Sequence, residues 1–132
     1  MSVVTSTLLA EPPKRQHLEE DLQRAVVQFL RFALPANALF AHIPNGMWRH
    51  KRAAARLVGL GIRAGLPDLL VVHDGRAIFI ELKAKGGSQS LIQKQMVRRL
   101  AACGCEVFLC RSVDEVELVL RGVGIRLRGR VA

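Results

Sequence analysis

The sequence has few cysteines and no long hydrophobic run. No apolar stretch approaches the roughly 18–20 residues that span a bilayer, which excludes a membrane-spanning class. The N-terminus has no basic segment ahead of a long apolar one, so we expect no signal peptide and a cytoplasmic location. Cys103, Cys105 and Cys110 lack the two-pair spacing of a zinc site. We therefore expect buried, reduced thiols.

Acidic residues are also scarce. Eleven Asp and Glu stand against 20 Lys and Arg, which gives a net charge of +9 and a pI near 10.8. In a chain of 132 residues, such an excess indicates a polyanionic partner, with nucleic acid first and an anionic membrane surface second. Half of the residues are hydrophobic, which predicts a folded chain. Its length predicts one domain.

The spacing of apolar residues predicts the element order αβαββαβα, a layered α/β domain with a mixed sheet. We expect a flexible N-terminal arm over 1–15, the folded domain over 16–122, and a basic C-terminal tail over 123–132 that is either a strand or loose. Helices are predicted over 17–33, 47–61, 88–104 and 112–124, with strands over 38–43 and 105–111 and a β-hairpin within 64–87.

Two carboxylates and a lysine interrupt the apolar residues of the predicted hairpin. Asp74-Gly75 is typical of a two-residue type I′ turn, in which both residues have positive φ. Counting outward from this turn places Asp68 opposite Glu81, with Cβ atoms roughly 4.5–5.5 Å apart. Lys83 lies two residues beyond Glu81 and so shares its face. Three charged groups are thus predicted to meet at one end of the hairpin.

Carboxylates this close repel one another unless they share a proton, pair with a cation such as Lys83, or bind a divalent metal. A salt bridge at the end of the sheet is the purely structural interpretation. Both faces of the hairpin are otherwise apolar, so we expect helices or loops on both sides and the acids in a cleft. Hard oxygen ligands of this kind suit Mg²⁺ or Mn²⁺.

These residues also resemble a known family. Gly65-Leu66-Pro67-Asp68, followed after twelve residues by Glu81-Leu82-Lys83, resembles the PD-(D/E)xK nuclease signature. With an upstream acidic helix, a PNG turn and a downstream S-x-x-Q helix, the stretch from about Glu19 to Asp114 resembles the VRR-NUC family, in its small standalone form from phages and bacteria. The resemblance implies a restriction-endonuclease-like α/β/α core, with a small mixed sheet flanked by helices.

The resemblance implies a metal centre. Asp68, Glu81 and the backbone carbonyl of Leu82 match the family's ligands for Mg²⁺ or Mn²⁺. Lys83 matches the catalytic lysine, which orients or helps to deprotonate the attacking water and stabilises charge on the phosphate. Such a metal lowers the pKa of bound water and offsets the negative charge on the scissile phosphate.

Two further catalytic residues follow from the resemblance, each with a rival. Glu20 matches the acidic residue of the first helix, with Glu19 as the alternative and a solvated helix face as the structural interpretation. Gln93 matches the glutamine of the third helix, with Gln95 as the alternative. Ser90 and Gln93 also have the spacing of a capping box, which would account for this glutamine structurally.

Basic residues crowd the predicted second helix, where phosphate contacts would give salt-sensitive binding without sequence preference. A solvated helix face is the other interpretation, and Trp48 either stacks on a base or packs against the sheet. His42 and His73 are interpreted as structural. The candidate nucleic-acid contacts are Asn45, Trp48, Arg49, His50, Lys51, Arg52, Arg56 and Lys85.

Taken together, the resemblance implies a Mg²⁺- or Mn²⁺-dependent DNA endonuclease that hydrolyses phosphodiester bonds in branched DNA such as Holliday junctions. It also implies a homodimer in a bacterial or phage-infected cell, with no membrane partner and no small-molecule cofactor. One alternative is a nuclease of flaps, nicks or linear duplex. Another is a catalytically silent nucleic-acid-binding module, which the intact Asp68, Glu81 and Lys83 disfavour. A membrane-surface or structural basic protein would leave these charges unexplained.

Overall fold

A computed structural model describes residues 15–45 and 51–129. Over these residues the predicted order αβαββαβα and the predicted α/β fold are confirmed. The predicted N-terminal arm lies, except for residue 15, outside the described residues. The helices are α1 (Arg15–Ala33), α2 (Lys51–Gly59), α3 (Leu91–Ala102) and α4 (Val113–Gly122), and the strands are β1 (Ala38–His42), β2 (Leu69–His73), β3 (Arg76–Leu82) and β4 (Glu106–Cys110).

The four strands form one mixed sheet in the order β1-β2-β3-β4. β2 pairs antiparallel with both β1 and β3, whereas β4 runs parallel to β3. A parallel neighbour requires a long crossover connection, and α3 supplies it. As a result, the carboxyl ends of β3 and β4 meet at the same edge of the sheet.

The β2–β3 hairpin has the predicted register. Leu69 pairs with Ile80 and His73 with Arg76. Asp74 has φ of 50° and Gly75 of 71°, so the turn has the positive φ angles of type I′. The register prediction is confirmed, because the next position outward from Leu69 faces the next position beyond Ile80.

One face of the sheet packs against α1 and α4 in the hydrophobic core. The buried core residues are Val26, Phe29, Leu30, Ala33, Leu34, Leu69, Val71, Ile78, Ile80, Leu82, Cys110, Val116, Leu120, Ile125 and Leu127. The opposite face carries Glu81, which contacts Gln93 of α3. Val72 remains 39% exposed, so the expected cover on both faces is complete on the α1–α4 side and partial on the other.

The residues after α4 pack against the domain. Ile125 and Leu127 are buried in the core, and the backbone N–H of Arg128 donates to the carbonyl of Ala33 at 2.7 Å. Part of the segment expected as a basic tail therefore closes the core beside the end of α1.

The expectation on thiols holds in part. All three cysteines are free, but Cys110 alone is buried, while Cys103 is exposed and Cys105 half-buried. Burial raises the pKa of Cys110 to about 11, and the nearby Glu115 contributes in the same direction. No helix in the described ranges is long and apolar enough to cross a membrane.

Gly65 sets the approach of the chain to the hairpin. Its φ is +84°, and a Cβ atom there would lie 2.6 Å from Cγ2 and 2.9 Å from the carbonyl oxygen of Ile92. Only glycine therefore lets the loop before Asp68 pack directly against α3.

We expect Gly65→Ala to destabilise the protein by at least about 2 kcal/mol, because strain at positive φ adds to a backbone clash. Gly75→Ala is the matched control, since Gly75 also has positive φ but no atom within 4 Å of the added Cβ. That control should cost only about 1 kcal/mol. Urea denaturation followed by circular dichroism measures both values, and equal losses would contradict the close packing at Gly65.

Candidate active site

Asp68 is held by three hydrogen bonds at the end of the sheet. Its carbonyl oxygen accepts from the backbone N–H of Ile43 at 2.8 Å and from Nδ1 of His42 at 2.8 Å. Its carboxylate Oδ2 accepts from the backbone N–H of Leu82 at 2.7 Å. Since a carbonyl only accepts, Nδ1 of His42 carries the proton. The backbone of Asp68 is therefore attached to the end of β1, and its carboxylate is attached to the end of β3.

Glu81 is a buried acidic residue on the face of the sheet opposite the core, with 2% of its surface exposed. Its Oε1 accepts a hydrogen bond from Nε2 of Gln93 at 3.3 Å. Its Oε2 is buried and has no hydrogen-bond partner among the described residues. A buried carboxylate with an unpartnered oxygen is costly unless a cation or a proton compensates it.

Burial raises the pKa of Glu81 to about 9, and the neighbouring Asp68 carboxyl group acts in the same direction. Lys83 acts in the opposite direction, and Glu19 adds a smaller upward effect. The hairpin register, in which Leu69 pairs with Ile80, and the hydrogen bond from Leu82 to the Asp68 carboxylate place Asp68 beside Glu81. Lys83 follows two residues further along the chain.

Gln93 connects α3 to the acidic pair. Ser90 caps the helix, and its Oγ accepts from the backbone N–H of Gln93 at 3.2 Å. In return, Oε1 of Gln93 accepts from the backbone N–H of Ser90 at 2.8 Å, which leaves the amide nitrogen for Glu81. The capping box and the contact with Glu81 therefore coexist. Gln95 is exposed, so the geometry favours Gln93 over Gln95 as the site residue.

A cleft of about 790 Å³ lies between α1 and the end of the sheet. Glu19 is half-buried and Glu20 exposed, and the charge of Glu19 affects the pKa of Glu81. Glu19, the alternative, is thus the less exposed of the two, and both residues line the cleft. The residues that line the cleft are Glu19, Glu20, Gln23, Arg24, Val27, Gln28, Arg31, His42, Asn45, Asp68 and Leu82.

The predicted nucleic-acid contacts fall into three groups. Asn45 lines the cleft, and its Nδ2 donates to the carbonyl of Leu66 at 2.8 Å. Arg56 and Lys85 are exposed and do not line it. Trp48, Arg49 and His50 lie outside the described residues, and Lys51 and Arg52 begin α2 with side chains that are likewise not described.

Two residues that contact Asp68 or the loop after Lys83 were not assigned to the site from the sequence. His42 was interpreted as structural, yet it lines the cleft as well as contacting Asp68. Arg111 follows β4, and its Nη1 donates to the carbonyls of Ala84 at 3.0 Å and Gly87 at 2.8 Å. It thus holds the loop after Lys83. The signal for Arg111 is its place one residue beyond Cys110, which pairs with Leu82, and only the parallel pairing reveals it.

The residues present fit a hard divalent cation. The unpartnered Oε2 of Glu81 and the nearby Asp68 carboxyl group supply oxygen ligands, which Mg²⁺ and Mn²⁺ prefer. Within 15–45 and 51–129, no group of three or more His, Cys, Asp and Glu residues is placed to hold a metal ion. The remaining ligands would be a backbone carbonyl, as predicted for Leu82, and water, which Mg²⁺ commonly retains.

Comparison with known proteins decides the family. The family model of the VRR-NUC domain matches residues 14–114. This chain belongs to the VRR-NUC domain family. The resemblance inferred from the sequence is therefore confirmed, and a VRR-NUC domain is a nuclease-type domain, which implies DNA as its substrate.

Two solved structures share the VRR-NUC fold. A "VRR_NUC domain protein" is 21% identical with a TM-score of 0.57, over 78% of this chain and 84% of that one. A "VRR_NUC domain" structure is 21% identical with a TM-score of 0.53, over 79% of this chain and 95% of that one. At this identity the likeness shows the fold alone. A search of curated proteins finds no match.

The raised pKa of Glu81 has a consequence for the stability of this VRR-NUC protein without metal. Between its ordinary value of 4.5 and about 9, the native state retains a proton that the unfolded state has lost. The free energy of unfolding should therefore fall as pH rises through this window, by up to about 1.4 kcal/mol per pH unit. Chemical denaturation in a chelator at about pH 5.5 and pH 8.5 measures the loss.

Glu81→Gln provides the control for this measurement, because the amide cannot ionise. We expect the variant to lose less stability than the wild type over the same pH interval. Histidines and other groups titrate in both proteins, so the difference between them isolates Glu81. Identical slopes would contradict a buried, protonated Glu81.

Proposed function

We propose that this protein is a Mg²⁺- or Mn²⁺-dependent endonuclease that hydrolyses phosphodiester bonds in branched DNA, such as Holliday junctions. The observation that carries the proposal is the unpartnered buried oxygen of Glu81 next to Asp68, which lines the cleft. The ion pairs of the described residues join Arg76 to Glu106 and Arg121 to Glu117, so a salt bridge between Glu81 and Lys83 does not account for this oxygen.

Asp68, Glu81, Lys83 and Gln93 have distinct parts in this reaction. When bound, the divalent cation lowers the pKa of a water molecule and offsets charge on the scissile phosphate. Asp68, kept in place by the Leu82 N–H, and Glu81 would hold it. Gln93 engages Oε1 of Glu81, while Oε2 has no partner among the described residues and would be available as a ligand. Lys83 orients the attacking water and stabilises charge on the phosphate.

A homodimer would meet a geometric requirement of junction cleavage. In the described part of the chain, Asp68 and Glu81 form one acidic pair, which serves one strand at a time. Resolution of a four-way junction needs cuts in two opposed strands, and a two-fold dimer presents two identical sites. Together with the family resemblance, this requirement supports the dimer.

Single substitutions test the site. Asp68→Asn, Glu81→Gln and Lys83→Met should each reduce cleavage by at least about 100-fold, since each removes a cation ligand or a charge-stabilising group. Binding to DNA in a chelator should persist in all three. Asp114→Asn, which removes an exposed carboxylate in the first turn of α4, is the matched control and should cleave like the wild type.

The substrate is tested with labelled four-way junction, flap, nicked and linear duplex, each with Mg²⁺, Mn²⁺ or EDTA. Symmetric, metal-dependent nicking of the junction that is lost in Asp68→Asn would support the whole proposal. Metal-dependent cutting of flaps or linear duplex would retain the nuclease and reject the junction preference. Binding without cleavage under any metal would instead favour a silent nucleic-acid-binding module.

The dimer makes a separate prediction. Light scattering after gel filtration should give twice the mass of one chain, which is 14.6 kDa. Wild-type and Asp68→Asn chains, mixed so that hybrids form, should nick one strand of a junction without cutting its opposite. A monomeric mass on the junction itself would contradict the paired-site arrangement.

A further inference from the structure

The charge of the residues that α1 contributes to the cleft changes from negative to positive along the helix. Glu19 and Glu20 line the end near the first turns of the helix, whereas Arg24 and Arg31 line the continuation. The spacing of seven residues between the arginines is close to two helical turns, so they share one face about 10 Å apart. Gln28 lies between them on the same wall. The cleft therefore has an acidic end and a basic end.

Both arginines are available to a ligand. Glu20 and Arg24 have the i, i+4 spacing that favours an ion pair on a helix, yet none forms. The ion pairs within the described ranges join Arg76 to Glu106 and Arg121 to Glu117. Arg31 has no acidic residue three or four positions away on either side. Both guanidinium groups are thus exposed cations without an anionic partner in the described structure.

We propose that Arg24, Gln28 and Arg31 form a binding row for a phosphodiester strand, which leads along α1 to the candidate active site. The inference rests on the proposed function, because it assigns the path by which DNA reaches Asp68. Before a cation is bound, the acidic end of the cleft repels a polyanionic strand. The row at the basic end supplies the attraction that holds the strand in the cleft. Since the two positions are about 10 Å apart along the helix axis, the two side chains can reach different phosphates.

This assignment differs from the binding surface inferred from the sequence. That surface was placed on the basic residues of the second helix, of which Arg56 is exposed and does not line the cleft. The row on α1 instead shares one continuous cleft with Asp68 and Leu82. Guanidinium groups suit this role because their fork of N–H donors matches phosphate oxygens. Gln28 adds a neutral donor between them.

Binding in EDTA tests the row without cleavage. Fluorescence anisotropy would follow the wild type, Arg24→Gln, Arg31→Gln and the double variant on labelled duplex, single strand and four-way junction. Each single change should weaken binding roughly five- to tenfold at about 0.1 M salt. The slope of log K against log salt should become shallower by about 0.9 for each arginine on duplex, or about 0.7 on single strand.

The matched control removes the same charge elsewhere. Arg98 and Arg99 are exposed on α3 and do not line the cleft, so the double variant Arg98→Gln with Arg99→Gln should bind like the wild type. Arg24→Lys with Arg31→Lys keeps the charges and should retain the wild-type salt slope while losing part of the affinity. Equal weakening in the cleft double variant and in the control double variant would overturn the row, because net charge alone would then explain it.

The outcomes separate this inference from the proposed function. A wild type that cleaves with metal, together with an Arg24 and Arg31 double variant that binds like wild type, would reject the row and retain the nuclease. A wild type that cleaves no substrate under any metal would reject the proposed function, and the EDTA data would still decide the row. Circular dichroism verifies that each variant is folded, which is expected because both side chains are exposed.

Discussion

The hydrogen bond from the backbone N–H of Leu82 to the carboxylate of Asp68 is the contact on which the site depends. It joins the end of β3 to the residue before β2, so the hairpin register and the position of the acid are one constraint. His42 and Ile43 attach the carbonyl of the same residue to the end of β1. Three strand ends thus converge on Asp68, and a side chain held this way loses little freedom on binding a ligand.

Burial of Glu81 imposes a cost that the hydrogen bonds of the fold relieve only in part. Gln93 satisfies one carboxylate oxygen and leaves the other without a partner. Stability is commonly sacrificed at sites that bind or react, where the missing partner comes from outside the chain. Arg111 adds rigidity nearby, because its two hydrogen bonds hold the loop that connects Lys83 to α3. The backbone of the site is therefore held by hydrogen bonds, while one carboxylate oxygen of Glu81 has no partner among the described residues.

Local chemistry explains why much of this arrangement was predictable. Asp74-Gly75 specifies a two-residue turn through positive φ, and counting the paired residues outward from this turn places Asp68 opposite Glu81. The sequence could not decide between candidate site residues that lie one or two positions apart. Glu19 and Glu20 differ by about 100° around a helix, and only the packing of α1 decides which lies nearer Glu81. The same holds for Gln93 and Gln95, where the contact depends on how α3 crosses the sheet.

The sequence by itself determined the element order, the hairpin register and the family, because turns, periodicity and a spaced motif are local properties of the chain. Tertiary structure alone decided the parallel pairing of β3 with β4, which sets Arg111 beside the loop after Lys83. It also decided that Ile125 and Leu127 close the core and that α1 forms a wall of the cleft. These features arise from contacts between residues far apart in the chain, which no local pattern encodes.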